Sequence, residues 1–279
     1  MPSDVVALSN ASSVVRNVVM DNPASGAGMV TPQRTAKKDL SGYQSSLAST
    51  PLGRNTKPGW YAEHDKFVHV ASAGGSGILL IGDSLINGLT RYNSVWSKYF
   101  NPLRALNFGI GGDRTQHVLW RVENGEIPMN LHIVVIHCGT NNVDRHTPSD
   151  IKDGITAIVS VYQTAKPNAK VIIAGLLPRD IAPGYRRDSI KSVNKKLKRW
   201  CQCASQRNVY FLKPDPDWVN PDGTLVSEYY YSDNVHLIEA GYEKFAKAIY
   251  EMVMKLLQGI NIVYEASSDE EADEVDCVF

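Results

Sequence analysis

Short apolar runs alternate with longer amphipathic stretches through the middle of this chain. Ile78-Leu79-Leu80-Ile81 and Ile133-Val134-Val135-Ile136 are continuous apolar runs, the pattern of a strand buried on both faces. Together with less regular segments they define candidate strands at 78–81, 104–108, 133–138, 170–176 and 208–212. Between the strands the hydrophobic period lengthens to that of a helix. The segment from Ile151 sets Ile155, Ile158, Val159 and Tyr162 on one face, with Ser149 or Asp150 as the expected cap. A second helix gathers Ile190, Val193, Leu197 and Trp200 and turns its lysines to water. A last one, from about Ile238 to Leu257, carries Tyr242, Phe245, Ile249 and Val253. Strands separated by helices predict a parallel sheet covered on both faces, hence an α/β domain of three layers, α/β/α, with a five-stranded parallel sheet.

The ends of the chain do not continue this pattern. Residues 1–57 are rich in Ser, Ala, Asn, Gly and Pro, which predicts a mostly disordered N-terminal extension. Residues 265–279 hold seven acidic residues and no Lys or Arg. The expected organisation is therefore an extension over 1–57, one folded α/β domain over 58–258 and an acidic tail over 259–279. The whole chain has a formal net charge of zero, so the seven acids of the tail leave residues 1–264 at +7. That is mildly basic, without the basic and aromatic stripe of a nucleic-acid binder. No run approaches the ~18 apolar residues of a membrane-spanning helix. The N-terminus lacks a basic leader region, and Asp4, Asp21 and Asp39 are unusual for a mitochondrial presequence, so a cytoplasmic location is expected.

The candidate chemistry sits where the strands end. Gly82-Asp83-Ser84-Leu85 closes the first apolar run, placing Ser84 at the carboxyl edge of the sheet and at the start of a helix beginning near Leu85. A serine hydroxyl needs a base within hydrogen-bond reach and a group that orients the base. Far downstream, Asp233-Asn234-Val235-His236 supplies both from one short turn. Asn107-Phe108-Gly109-Ile110-Gly111-Gly112-Asp113 and Gly139-Thr140-Asn141-Asn142 follow the second and third strands, on the same edge. Acyl transfer needs donors aimed where the oxyanion develops, and the Gly112 N–H and the Asn141 amide are candidates. Asp83 is read as a loop support, His137 as a strand residue and Cys138 as a small core residue. Cys201-x-Cys203 has the wrong spacing for a zinc or redox pair. No metal-ligand spacing, Walker loop, dinucleotide fingerprint or Gly-x-Ser-x-Gly elbow is present, so neither metal nor cofactor is expected.

The four blocks, in the order Ser84, Gly112, Asn141 and Asp233-x-x-His236, resemble the SGNH (GDSL-type) hydrolase superfamily. Further text narrows the match: Trp60 with His64-Asp65-Lys66-Phe67-Val68, Pro102 to Asp113, His117 to Arg121 with Asn124-Gly125-Glu126, and Gly175 to Arg179. Over roughly residues 58–258 it resembles the catalytic subunits of the intracellular brain-type (Ib) platelet-activating-factor acetylhydrolases.

The resemblance implies a flavodoxin-like strand order 2-1-3-4-5. It implies Ser84 as nucleophile, His236 as general base and then acid, and Asp233 as the group that orients His236. It also implies an oxyanion hole of Ser84, Gly112 and Asn141, and an acyl pocket lined by Leu85, Thr140 and Val235. Val235 stands where those enzymes usually carry Leu. By the same resemblance the substrate is a short acyl ester, most simply the acetyl group of an ether phospholipid. The implied partners are a second catalytic subunit, as homo- or heterodimer, and a WD40-repeat regulatory protein. A broader carboxylesterase, thioesterase or carbohydrate deacetylase, and a mainly structural subunit, stay open at this point.

Overall fold

A computed structural model describes residues 48–204, 208–260 and 262. Its centre is a five-stranded parallel sheet made of β1 (Ile78–Gly82), β2 (Leu106–Gly109), β3 (Ile133–His137), β4 (Lys170–Ala174) and β5 (Val209–Leu212). The spatial order is β2-β1-β3-β4-β5, the flavodoxin-like order the resemblance implied. Every residue of β1 and β3 is buried, as expected of strands with both faces covered.

Alternate residues of the strands feed two separate cores. Leu79, Ile81, Val134, Ile136, Val171 and Ile173 pack on one face with α1 (Trp60–Ser72), α4 (Thr115–Glu123), α5 (Pro148–Ala165) and α6 (Tyr185–Ala204). Ile78, Leu80, Ile133, Val135 and Ile172 pack on the other with α2 (Ser84–Asn87), α3 (Asn93–Tyr99) and α7 (Glu239–Leu257). This is the three-layer arrangement, and the loops after β1, β2 and β3 leave from one edge. Cys138 lies in the first core and His137 ends β3, its Nδ1 3.1 Å from the Ala174 carbonyl.

The expected cap of α5 is corrected upstream by two or three residues. The helix begins at Pro148, and its cap is Thr147 rather than Ser149 or Asp150. Thr147 Oγ1 accepts from the Asp150 N–H (3.2 Å) while Asp150 Oδ2 accepts from the Thr147 N–H (2.9 Å), a reciprocal capping box with proline at the first helical position.

Residues 48–57, which the sequence pattern groups with the extension, pack on the domain. Thr115 Oγ1 donates to the Ala48 carbonyl (2.7 Å), and the Leu52 N–H donates to the Gln116 carbonyl (3.0 Å). The rest of the extension and the acidic residues from 265 lie outside the described residues.

Candidate active site

Asp83 and Ser84 divide the work of the turn after β1. Asp83 is fully buried and caps α2, its Oδ1 accepting from the Leu85 N–H at 2.9 Å. Its other oxygen has no hydrogen-bond partner among the described residues, and burial pushes the carboxyl up to about 7 against the pull of the Leu85 N–H. Asp83 thus holds the turn, and its neighbour Ser84 faces outward. Gly82 is required beside them, because a Cβ there would stand 1.9 Å from the His137 carbonyl oxygen.

The loop after β5 brings the second half of the site. His236 Nε2 lies 2.9 Å from Ser84 Oγ, and His236 Nδ1 lies 2.6 Å from Asp233 Oδ2. Asn234 takes a positive φ of 55°, which folds the Asp-x-x-His turn tightly enough for Asp233 Oδ1 to accept the N–H groups of both Val235 (3.0 Å) and His236 (2.9 Å). Burial raises the Asp233 pKa. The bonds from the His236 ring and from these two N–H groups outweigh it and leave the carboxyl below its ordinary range. An ionised Asp233 fixes the Nδ1–H tautomer of His236 and leaves Nε2 free to accept the serine proton.

Of the two remaining blocks, the glycine turn borders the serine and the asparagine block is tied to that turn. Gly112 has φ 77°, a conformation suited to glycine, and a Cβ at Gly111 would stand 3.8 Å from Ser84 Cβ. The side chain of Asn141 donates through Nδ2 to the main-chain carbonyl of Asp113 (2.9 Å), which ties the loop after β3 to this glycine turn. The neighbouring asparagine has a different task. Asn142 is fully buried and bonds Thr115 and Gln116 at the start of α4. Of the residues expected to line the acyl pocket, Leu85 and Thr140 are buried and Val235 is partly exposed.

A buried ionic hub supports the glycine turn. Arg121, fully buried on α4, donates through Nε to Asp113 Oδ2 (3.0 Å), through Nη1 to Glu126 and the Phe108 carbonyl, and through Nη2 to the Gly82 carbonyl (3.0 Å). Trp60 Nε1 donates to Asp113 Oδ1 (2.9 Å). His117, 3.9 Å from Asp113, is not an ion-pair partner. Burial first, and then the charges of Arg114, Arg54, Arg121 and Lys57, lower its pKa to about 3 and keep it neutral. The sequence motifs include Trp60, Asp113, Arg121 and Glu126 without assigning them a task. An arginine in the apolar text Val118-Leu119-Trp120-Arg121-Val122 was the available signal, since a charge there is buried only if paired.

A cleft of about 540 Å³ lies elsewhere, between α6 and the loops after β4 and β5, and none of Ser84, Asp233 and His236 lines it. Side-chain chemistry, rather than that cleft, marks the candidate site. Among the described residues no cluster of three or more His, Cys, Asp or Glu could hold a metal, and no helix is long and apolar enough to cross a membrane.

Comparisons with known proteins give the family of the chain. The profile of the GDSL-like lipase/acylhydrolase family matches residues 80–244. The alpha1 subunit of platelet-activating factor acetylhydrolase IB from Mus musculus is 38% identical over 237 residues, covering 82% of this chain and 100% of that protein. The alpha2 subunit from Homo sapiens is 38% identical over 200 residues, covering 71% of this chain and 85% of its own. A GDSL-like lipase from Bacteroides thetaiotaomicron shares the fold at a TM-score of 0.57 and 20% identity, over 70% of this chain and 99% of its own. The chain therefore belongs to the GDSL-like lipase/acylhydrolase family and is a serine ester hydrolase.

Proposed function

We propose that the protein removes a short acyl group, acetyl above all, from an ether phospholipid of the platelet-activating-factor type, by way of an acyl-enzyme on Ser84. The observation that carries this reading is the continuous relay from Ser84 Oγ to His236 Nε2 (2.9 Å) and from His236 Nδ1 to Asp233 (2.6 Å). The substrate class is supported by the names of the relatives, two of which are acetylhydrolase subunits at 38% identity.

In this mechanism Ser84 Oγ bonds to the ester carbonyl carbon as its proton passes to His236 Nε2. The carbonyl oxygen becomes an oxyanion, received by the N–H groups of Ser84 and Gly112 and by the second N–H of the Asn141 amide, the first being held by Asp113. Collapse breaks the bond to the alcohol oxygen, which takes the proton back from His236. Water then attacks the acyl-enzyme, giving one proton to His236, and the acid leaves as Ser84 recovers its hydrogen. Asp233 stays ionised throughout and stabilises the imidazolium. Leu85, Thr140 and Val235 bound the acyl group, with Val235 leaving more room than the Leu usual there. No metal takes part.

The relatives are named as subunits, and we extend this to an assembly of this chain with a second catalytic subunit and a WD40-repeat partner. A panel of acetyl, butyryl and long-chain esters tests the acyl reading. Acetyl is expected to give the highest kcat/KM, and a long-chain optimum would replace it with a general lipase or thioesterase. Direct comparison of acetylated phospholipid with acetylated sugar separates the phospholipid esterase from a carbohydrate deacetylase.

A further inference from the structure

Two cations stand beside the nucleophile on a segment outside the sequence motifs. Arg54 Nη1 donates to the Gly111 carbonyl (3.1 Å) and to Asp113 Oδ1 (3.2 Å), and Lys57 Nζ donates to the same Gly111 carbonyl. A Cβ placed on Gly111 would lie 3.8 Å from Ser84 Cβ and 3.9 Å from Lys57 Nζ, so nucleophile and ammonium flank one point. A Cβ on Gly112 would lie 3.0 Å from Arg54 Nη2, which has no acceptor among the described residues. Both cations thus border the turn assigned to the oxyanion.

Their charge is not balanced locally. Asp113 accepts from both Arg54 and Arg121, and Arg121 also reaches Glu126, so two carboxylates answer two guanidiniums. Lys57 makes no ion pair among the described residues. Burial, and next the Arg54 charge, lower its pKa. Arg114 is likewise depressed by burial and by Arg145 and Arg54. This is an electropositive rim beside a serine nucleophile, and an anion seated there would relieve the repulsion.

We propose that Arg54 and Lys57 form a specificity-determining subsite for a phosphate group carried on the alcohol part of the ester. This deepens the reading given under Proposed function and rests on it. An acetyl group is too short to carry an anion, so a charge beside Ser84 must ride on the leaving alcohol, within a few bonds of the scissile oxygen. A guanidinium with a free terminal nitrogen, next to an ammonium, suits the several oxygens of a phosphate. The ester enters with its carbonyl oxygen over Gly112 and its alcohol side over Gly111.

The experiment uses the full chain and three substrates that share one acetyl group: 1-alkyl-2-acetylglycerol with a phosphodiester headgroup, with a phosphomonoester, and with neither. The expected result is a kcat/KM at least about tenfold higher for both phosphate-bearing esters than for the neutral one. Lys57→Gln should remove most of that preference, and Lys57→Arg should restore it. The ratio between substrates is the readout, because a general loosening of the Gly111 turn lowers all three together. Inorganic phosphate should also inhibit 4-nitrophenyl acetate hydrolysis by the unsubstituted protein, a measurement that depends on no variant folding. Equal turnover of neutral and phosphate-bearing esters with no phosphate inhibition would overturn the subsite while leaving the acetylesterase standing. Absence of acetyl turnover on all three, beside Ser84-dependent hydrolysis of longer esters, would overturn the acetylesterase and the subsite with it.

Discussion

Asn141 Nδ2 donates to the main-chain carbonyl of Asp113 across 2.9 Å, joining two loops that leave different strands. One N–H of the amide is spent on this bond, and the other is the donor proposed above for the reacting oxygen. Asn141→Ala is expected to lower kcat by about 10²–10³ with a small change in KM, because the donor acts on charge that exists only in the transition state. Steady-state kinetics of the folded variant checks this. A change confined to KM would make Asn141 a positioning residue.

Arg121 is the buried centre of the hub behind the glycine turn. Arg121→Met leaves the carboxylates of Asp113 and Glu126 without their shared guanidinium and frees the carbonyls of Gly82 and Phe108. Removing one partner of such a network costs about 3–5 kcal/mol. Urea unfolding should show a loss in that range, together with reduced kcat as the turn relaxes. A variant as stable as the parent would show that the hub contributes little.

Asp83 gives the protein a pH-dependent term of definite sign. Its folded pKa is raised to about 7 by burial, above the ordinary 3.8. Between those values the folded state holds a proton the unfolded chain has released. The contribution is therefore complete below the ordinary value and is lost as pH rises through about 7. Asp83→Asn keeps an acceptor for the Leu85 N–H and removes the titration. Its melting temperature relative to the parent should rise between about pH 5 and pH 8. Parallel melting curves across that range would remove Asp83 from the account.

The sheet, its edge and the residues Ser84, Asp233 and His236 that the structure brings together are legible in the sequence for a physical reason. Strands buried on both faces read as apolar runs, and Ser84 and the Asp233-x-x-His236 turn sit just beyond the segments that position them. The resemblance supplied the strand order, which short apolar runs do not encode. The start of α5 is ambiguous in the sequence because Thr147, Ser149 and Asp150 are all good caps, and the reciprocal Thr147–Asp150 bonds with Pro148 at the first helical position select Thr147. Arg54 and Lys57, the residues of the proposed subsite, are not legible in the sequence as neighbours of Ser84. They lie in Gly- and Pro-rich text without periodicity, and their position comes from main-chain contacts with Gln116, Gly111 and the start of α4.

Those contacts move the expected domain start upstream. A chain beginning at Ala48 keeps the Leu52–Gln116 and Ala48–Thr115 bonds, whereas one beginning at Pro58 loses them along with Arg54 and Lys57. Removing residues 1–47 and 265–279 should leave kcat within a few-fold of the full chain. Removing residues 1–57 should lower both thermal stability and acetyl-ester turnover. Equal activity of the two truncated proteins would show that residues 48–57 are dispensable.

The most direct measurement is the site and rate of covalent capture by an alkyl fluorophosphonate, read by mass spectrometry of the intact protein and its peptides. The expected result is one adduct, on Ser84, formed far more slowly in His236→Ala, with no ester turnover by folded Ser84→Ala. An adduct on another residue, or hydrolysis that survives in folded Ser84→Ala, would contradict the assignment of Ser84, His236 and Asp233 as the catalytic relay.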